Sequence, residues 1–113
     1  DILKYIHENY MDVNLSLENV ASYVGLSKAY VSRLFKSKIG KKYIDYLTDV
    51  RMEKAMQLLA YTDMTLKDII KQIGYCDVRS FQKKFKLLYG LTPAKYRELY
   101  SKDQVSEVRD LLN

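Results

Sequence analysis

Apolar residues recur along this chain at intervals of three and four, the spacing that lines one side of an α-helix. Ile2, Leu3, Ile6 and Tyr10 predict a first helix over about residues 1–11. Ser16, a residue type that caps free helix amides, opens a second helix over 17–24, and Gly25 ends it. Ser27 caps a third helix over about 28–38, with Tyr30, Val31, Leu34 and Phe35 on one side and Lys28, Ala29, Ser32, Arg33 and Lys36 on the other. Gly40 closes it. A long fourth helix over about 43–60 has no interior Gly or Pro and carries Ile44, Leu47, Arg51, Ala55, Leu58 and Leu59 on its inner stripe, so it reads as a rigid strut. Thr65 caps a fifth helix over 66–73, with Asp68 placed to favour its positive end, and Gly74 turns the chain. Asp77 caps a sixth over 78–89, with Phe81, Phe85 and Leu88 inward and Val78, Arg79, Gln82, Lys83 and Lys86 outward. After Gly90, Thr92-Pro93 opens a seventh helix carrying Tyr96 and Leu99. The tail over 101–113 has a weak amphipathic pattern in Val105, Val108, Leu111 and Leu112. No sustained period-two alternation and no Asn-Gly or Asp-Gly hairpin occurs, so the expected class is all-α with seven helices.

The plan is written twice. Ser16-Leu17-x-x-Val20-Ala21-x-x-Val24-Gly25 is repeated 49 residues later as Thr65-Leu66-x-x-Ile69-Ile70-x-x-Ile73-Gly74. The register then slips by one: Phe35-Lys36, Gly40 and Tyr46 match Phe85-Lys86, Gly90 and Tyr96, all 50 apart. Each copy is a short amphipathic helix, a glycine turn and a longer basic helix, the outline of a helix-turn-helix. The expected organisation is a first helix-turn-helix subdomain over 1–42, a linker helix over 43–60, a second subdomain over 61–100 and a tail over 101–113.

Apolar residues make up 48% of the chain, enough for a packed core. The net charge of +5 favours an anionic partner, and its placement is more informative than its size. Six Lys or Arg and no acid lie from Lys28 to Lys42, and four and no acid from Arg79 to Lys86. A solvated face would explain either stretch alone. The same basic face in both copies points instead to nucleic acid. Cys76 is the single cysteine, so no internal disulfide can form and a reducing, cytoplasmic setting is the expectation. No apolar run reaches membrane-spanning length and no signal peptide is visible. The chain starts at Asp1 rather than Met, which suggests that another domain precedes it. His7 has no neighbours at metal-ligand spacing, and no activated nucleophile, phosphate loop or paired carboxylates appear, so neither an enzyme nor a metal or other cofactor is expected. The eleven tyrosines fall mostly at core spacing and serve packing better than base stacking. Arg51, on the inner stripe of the strut, reads as an ion pair or helix cap rather than a DNA contact.

Taken in order, Arg51-x-x-x-Ala55-x-x-Leu58-Leu59, Asp68-Ile69, Ile73-Gly74-Tyr75-x-Asp77, Phe81, Phe85-Lys86, Gly90 and Thr92-Pro93-x-x-Tyr96-Arg97 resemble the DNA-binding domain of the AraC/XylS family of bacterial transcription regulators. Ser16-Leu17, Val20-Ala21, Gly25-Leu26-Ser27 and Ser32-Arg33-Leu34-Phe35-Lys36 extend the resemblance over about residues 1–100. The stretch from Ile44 to Ala55 is similar to the response-regulator branch, in which a receiver domain precedes this module. Departures gather in the second copy: Ile70 where the family usually has Ala, Ser80 for an aromatic, Lys83 for Arg and Lys84 for an apolar residue.

The resemblance implies double-stranded DNA as partner, with the helices over 28–38 and 78–89 in successive major grooves. Two unlike units in one chain imply an asymmetric site. Base contacts are expected from Lys28, Ala29, Ser32 and Arg33, and from Val78, Arg79, Gln82 and Lys83. Arg33 leads, because its planar fork matches both acceptors of a guanine edge; Ala29 suits a thymine methyl, Gln82 an adenine, and Arg79 a guanine or a phosphate. Phosphate contacts are expected from Lys36, Lys38, Lys41, Lys42 and Lys86, and from Ser27 and Asp77 at the starts of the two reading helices. Activation is the family's usual output, with RNA polymerase a possible partner and a receiver or sensor domain ahead of this module. The competing reading is a helical protein-interaction module that binds no DNA.

Overall fold

The computed structural model describes residues 1–101. They form seven helices and, among the described residues, no strand: α1 (Ile2–Asn9), α2 (Leu17–Val24), α3 (Lys28–Ile39), α4 (Tyr43–Tyr61), α5 (Leu66–Gln72), α6 (Val78–Tyr89) and α7 (Pro93–Tyr100). The amphipathic pattern proposed for the tail lies, beyond Ser101, outside the described residues. Most helix starts are fixed by side chains that satisfy first-turn amides. Ser16 accepts from the Asn19 amide while Asn19 accepts from that of Ser16. Ser27 accepts from Tyr30, Thr65 from Asp68, Asp77 from Arg79 and Ser80, and Thr92 from Lys95. Helix α4 is different: Lys42 stands at its cap position and makes no side-chain capping bond.

The slip in the repeat has a definite location. Leu26 N–H donates to Ala21 C=O at 3.0 Å, and 49 residues later Tyr75 N–H donates to Ile70 C=O, also at 3.0 Å. The two turns therefore superpose through Tyr75. The extra residue is Cys76, inserted before the cap Asp77, which then matches Ser27 at a distance of 50.

Two apolar cores follow. Ile6, Leu15, Val20, Ala21, Val31, Phe35, Tyr43 and Leu47 form the first. Met52, Ala55, Leu58, Leu59, Ile69, Ile70, Ile73, Phe81 and Phe85 form the second. Helix α4 supplies Tyr43 and Leu47 to one and Met52 to Leu59 to the other, so it is a shared wall as well as a strut. At roughly 1.5–3 kcal/mol for each fully buried large apolar side chain, both units depend on it. The radius of gyration is 16.6 Å and the long dimension 55 Å. A compact domain of this length would have a radius near 13 Å, so the two units are laid out end to end.

Three expected core positions are placed differently. Ile44 is 57% exposed, and its neighbour Tyr43 turns inward instead. Leu88 is 42% and Tyr30 48% exposed, because the buried stripes of α6 and α3 need only Phe81 with Phe85 and Val31 with Phe35. Among the tyrosines, Tyr43 and Tyr46 meet Phe35 edge-on, Tyr89 and Tyr96 meet Phe85, and Tyr75 meets Phe81, as the packing reading expects.

Candidate nucleic-acid interface

Helix α3 turns Val31 and Phe35 into the first core, which forces the opposite side of the same helix outward. All five residues assigned to that side, Lys28, Ala29, Ser32, Arg33 and Lys36, are exposed. Helix α6 does the same with Phe81 and Phe85, leaving Val78, Arg79, Gln82, Lys83 and Lys86 exposed. A groove of about 500 Å³ then joins α3 to the start of α4, lined by Ser32, Arg33, Lys36, Lys42 and Tyr43 among others. Two base-contact candidates and two phosphate candidates thus share one surface. The first α4 turn has no side-chain cap, and it carries Asp45, whose carboxylate offsets the positive end of the helix.

Other candidates are placed elsewhere. Lys38 lies five residues past Arg33, about 140° around the helix at 100° per residue, and lines a separate groove with Asp1, Ile2 and Leu3 of the α1 end. It is not brought to the Arg33 face. Val78 sits at the edge of its face, 38% exposed, and lines a groove with Met11, Asp12 and Val13 of the first unit. Asp77 accepts from the amides of Arg79 and Ser80 at 3.3 and 3.2 Å. The Ser80 hydroxyl and amide hold its carboxyl below the usual range, so it is an anion that caps α6, and its own charge opposes a phosphate. Ser27 does the equivalent work for α3 with a neutral hydroxyl.

Two lysines of the interface already have acidic partners. Lys28 reaches Glu18 at 3.4 Å, and Lys41 is bonded to Asp49. The bond to Asp49 raises the Lys41 pKa. Both pairs are exposed, and such pairs contribute little to stability.

Two arginines bind backbone carbonyls at helix ends. Arg51, only 9% exposed, donates from Nε to Tyr10 C=O and from Nη2 to Asp12 C=O, both at 2.8 Å. Burial lowers its pKa. Of the two structural roles expected, it plays the cap: its bonds go to carbonyls at the end of α1. Arg97 repeats this in the second unit, donating from Nε to Leu59 C=O at 3.0 Å and from Nη2 to Thr62 C=O at 3.1 Å at the end of α4. The role of Arg97 was not read from the sequence. The repeat gave no signal for it, since at the 50-residue register Arg97 matches Leu47.

Among the described residues, no group of three or more His, Cys, Asp or Glu is placed to hold a metal ion, and no helix is long and apolar enough to cross a membrane.

Comparison with known proteins bears on the fold and the family. A helix-turn-helix domain family matches residues 20–99. The lactose operon transcription activator of Staphylococcus xylosus is 34% identical over 97 residues, covering 86% of this chain and 34% of that protein. The chain thus spans about a third of that relative's length. The C-terminal domain of the two-component response regulator yesN from Fusobacterium nucleatum superposes with a TM-score of 0.82 at 40% identity, over 85% of this chain and 93% of that one. A transcriptional regulator from Chromobacterium violaceum, described as having an AraC-type DNA-binding domain, superposes with a TM-score of 0.81 at 26% identity, over 89% of each chain.

Proposed function

Because the chain belongs to the AraC-type family of helix-turn-helix transcription regulators, we propose that it reads double-stranded DNA through α3 and α6, one in each of two successive major grooves. The observation that carries this reading is the pair of outward faces, Lys28 to Lys36 and Val78 to Lys86, each set by two buried residues on the opposite side of its helix. A long dimension of 55 Å accommodates two groove-facing helices about 34 Å apart. In this reading Lys28, Ala29, Ser32 and Arg33 meet one half-site, and Arg79, Gln82 and Lys83, with Val78 at the rim, meet the other. Lys36, Lys41, Lys42 and Lys86 hold phosphates, Ser27 and Asp77 orient the helices, and Lys38 stands off the duplex.

The chain works as the output domain of a longer cytoplasmic regulator, with a receiver or sensor domain ahead of it and RNA polymerase as the target of activation. The support is its similarity to a response-regulator C-terminal domain and to an activator about two and a half times its length. It carries out no catalysis of its own.

The test is selection of bound sequences from random duplex, followed by titration of the selected site and of random DNA at several salt concentrations. The expected result is an asymmetric site with two different half-sites, and affinity falling steeply with salt. Absence of salt-dependent duplex binding would favour the protein-interaction module.

A further inference from the structure

We infer that Arg51, seated between Tyr10–Asp12 of the first unit and Gly74–Tyr75 of the second, is the positioning residue that locks the two units together and so fixes the half-site spacing the protein accepts. This rests on the DNA reading above and adds to it the element that makes two readers one.

The argument starts from two glycines at the same step of the repeat. Gly25 and Gly74 both have positive φ, 72° and 91°, and both follow the last turn of the first helix of their motif. A Cβ built on Gly25 meets nothing within 4 Å. On Gly74 it would lie 2.5 Å from Tyr10 C=O and 3.1 Å from both Nε and Nη2 of Arg51. Positive φ alone explains Gly25. Gly74 is also where the backbone of one unit is pressed against the backbone of the other.

Arg51 closes that contact from the side. Its Nε and Nη2 are bonded to the Tyr10 and Asp12 carbonyls of the first unit, and its guanidinium lies 5.9 Å from the Tyr75 ring centroid in the second. Arg97 shows what a cap alone looks like: its carbonyl partners Leu58, Leu59 and Thr62 all belong to the end of one helix. Arg51 has partners in both units. A buried guanidinium is costly to desolvate, and fixing a geometry is one attested role of such groups. Because α4 passes through both cores, a contact at its midpoint controls how the units are turned about it. A one-base-pair change in spacing rotates a half-site by about a tenth of a turn, so a locked pair discriminates and a loose pair does not.

The test uses the selected site, the same site with one base pair inserted or deleted between its halves, and each half alone. The proteins are the wild-type chain, Arg51→Lys, Gly74→Ala and, as a control for backbone strain without contact, Gly25→Ala. Thermal melts establish that each is folded. In parallel, nitroxide labels at Ser37→Cys and Leu87→Cys, in a Cys76→Ser background, report the distance distribution between α3 and α6. The wild type should lose about tenfold or more on respaced sites, and should show one narrow distance. Arg51→Lys and Gly74→Ala should lose about tenfold on the full site, stay within about twofold on each half-site, shrink the respacing penalty, and broaden the distance. Gly25→Ala should melt lower and keep the wild-type spacing preference.

Two results would overturn the inference: half-site affinity falling as far as full-site affinity, which is a purely structural role, or an unchanged spacing preference and distance. A wild-type chain with one narrow distance, broadened in the variants, but no preference for any duplex would instead overturn the DNA reading. The half-site claim would fall with it, and the clasp itself would be demonstrated.

Discussion

Position for position, the two reading helices share their buried sides and differ on their exposed ones. Val31 and Phe35 of α3 correspond to Phe81 and Phe85 of α6, and all four are buried. On the outer faces Lys28, Ala29, Ser32, Arg33 and Lys36 correspond to Val78, Arg79, Gln82, Lys83 and Lys86, all exposed. Only the last pair is the same residue. The arginine sits at the fourth of these positions in one unit and at the second in the other. The backbone plan is therefore reused while the chemistry offered to a ligand is not, which is the arrangement expected of one protein reading two different sequences side by side. The cores differ as well. The second is the more aromatic around its reading helix, with Tyr75, Phe81, Phe85, Tyr89 and Tyr96 in successive ring contacts.

The largest effect should come from that aromatic core. Phe81 is fully buried, and Phe81→Ala should cost about 3–5 kcal/mol, since the cavity it leaves is walled by rings that cannot collapse into it. Val31→Ala, at the matching position, removes two methyls and should cost roughly 2 kcal/mol. Urea unfolding monitored by circular dichroism measures both. Equal losses would mean that the extra aromatic packing of the second unit contributes nothing there.

The next test separates the two faces. Arg33→Ala should weaken the selected site by about 1–3 kcal/mol, with the preference lost at one base position of the first half-site. Arg79→Ala should affect only the second half-site. Competition binding against single-base variants of the site distinguishes the two. If either substitution weakened random duplex equally, that arginine would be a phosphate contact.

How much of this was legible in the chain depends on which force sets each feature. Caps and glycine turns are local, so Ser16, Ser27, Thr65, Asp77, Thr92 and the four glycines located the helix ends to within a residue or two. The exposed faces of α3 and α6 follow from helical period and were also visible. Ile44, Leu88 and Tyr30 were misplaced because an apolar residue at the edge of a stripe can go either way. Which way it goes is decided by the neighbouring unit, as when Tyr43 fills the first core and leaves Ile44 in solvent. The clasp was invisible for a deeper reason. Arg51, Tyr10 and Gly74 are far apart in sequence, and nothing in the pattern of either unit says which carbonyl the arginine will find. Lys38 belongs to the basic stretch when charge is counted along the sequence, but around the helix it lies off the Arg33 face.

A subtler asymmetry concerns Tyr43, whose place in the second unit is taken by Pro93. Its hydroxyl is buried with no hydrogen-bond partner among the described residues. Burial pushes its pKa from about 10 up to about 12, against a smaller lowering by Arg51. The folded state thus favours the neutral phenol. The stability this group contributes is intact below pH 10 and is lost as pH rises toward 12, by roughly 2–3 kcal/mol at most. Tyr43→Phe removes the orphan hydroxyl, so it should stay within about 1 kcal/mol of wild type at neutral pH and lose less between pH 10 and 12. Tyr10, Tyr89 and Tyr96, also raised by burial, remain in both proteins, so the difference between the two alkaline unfolding curves belongs to Tyr43.

The smallest effect tests the one pair the two faces share. Lys36→Ala and Lys86→Ala should each weaken all sequences alike and reduce the slope of log K against log salt by about 0.9, the value for one phosphate. A loss confined to one base position would move the residue from phosphate to base contact. Lys41 should behave differently, because Asp49 already holds its ammonium and the cation reaches the duplex partly neutralised. Lys41→Ala should therefore change the slope by less than Lys36→Ala does. Asp49→Asn, which frees the lysine, should steepen the slope and tighten binding slightly to every sequence. The second unit has no acid matched to Asp49, since position 99 is Leu99. If Asp49→Asn leaves the slope unchanged, Lys41 is off the duplex altogether, and the first unit grips the backbone through Lys36 and Lys42 alone.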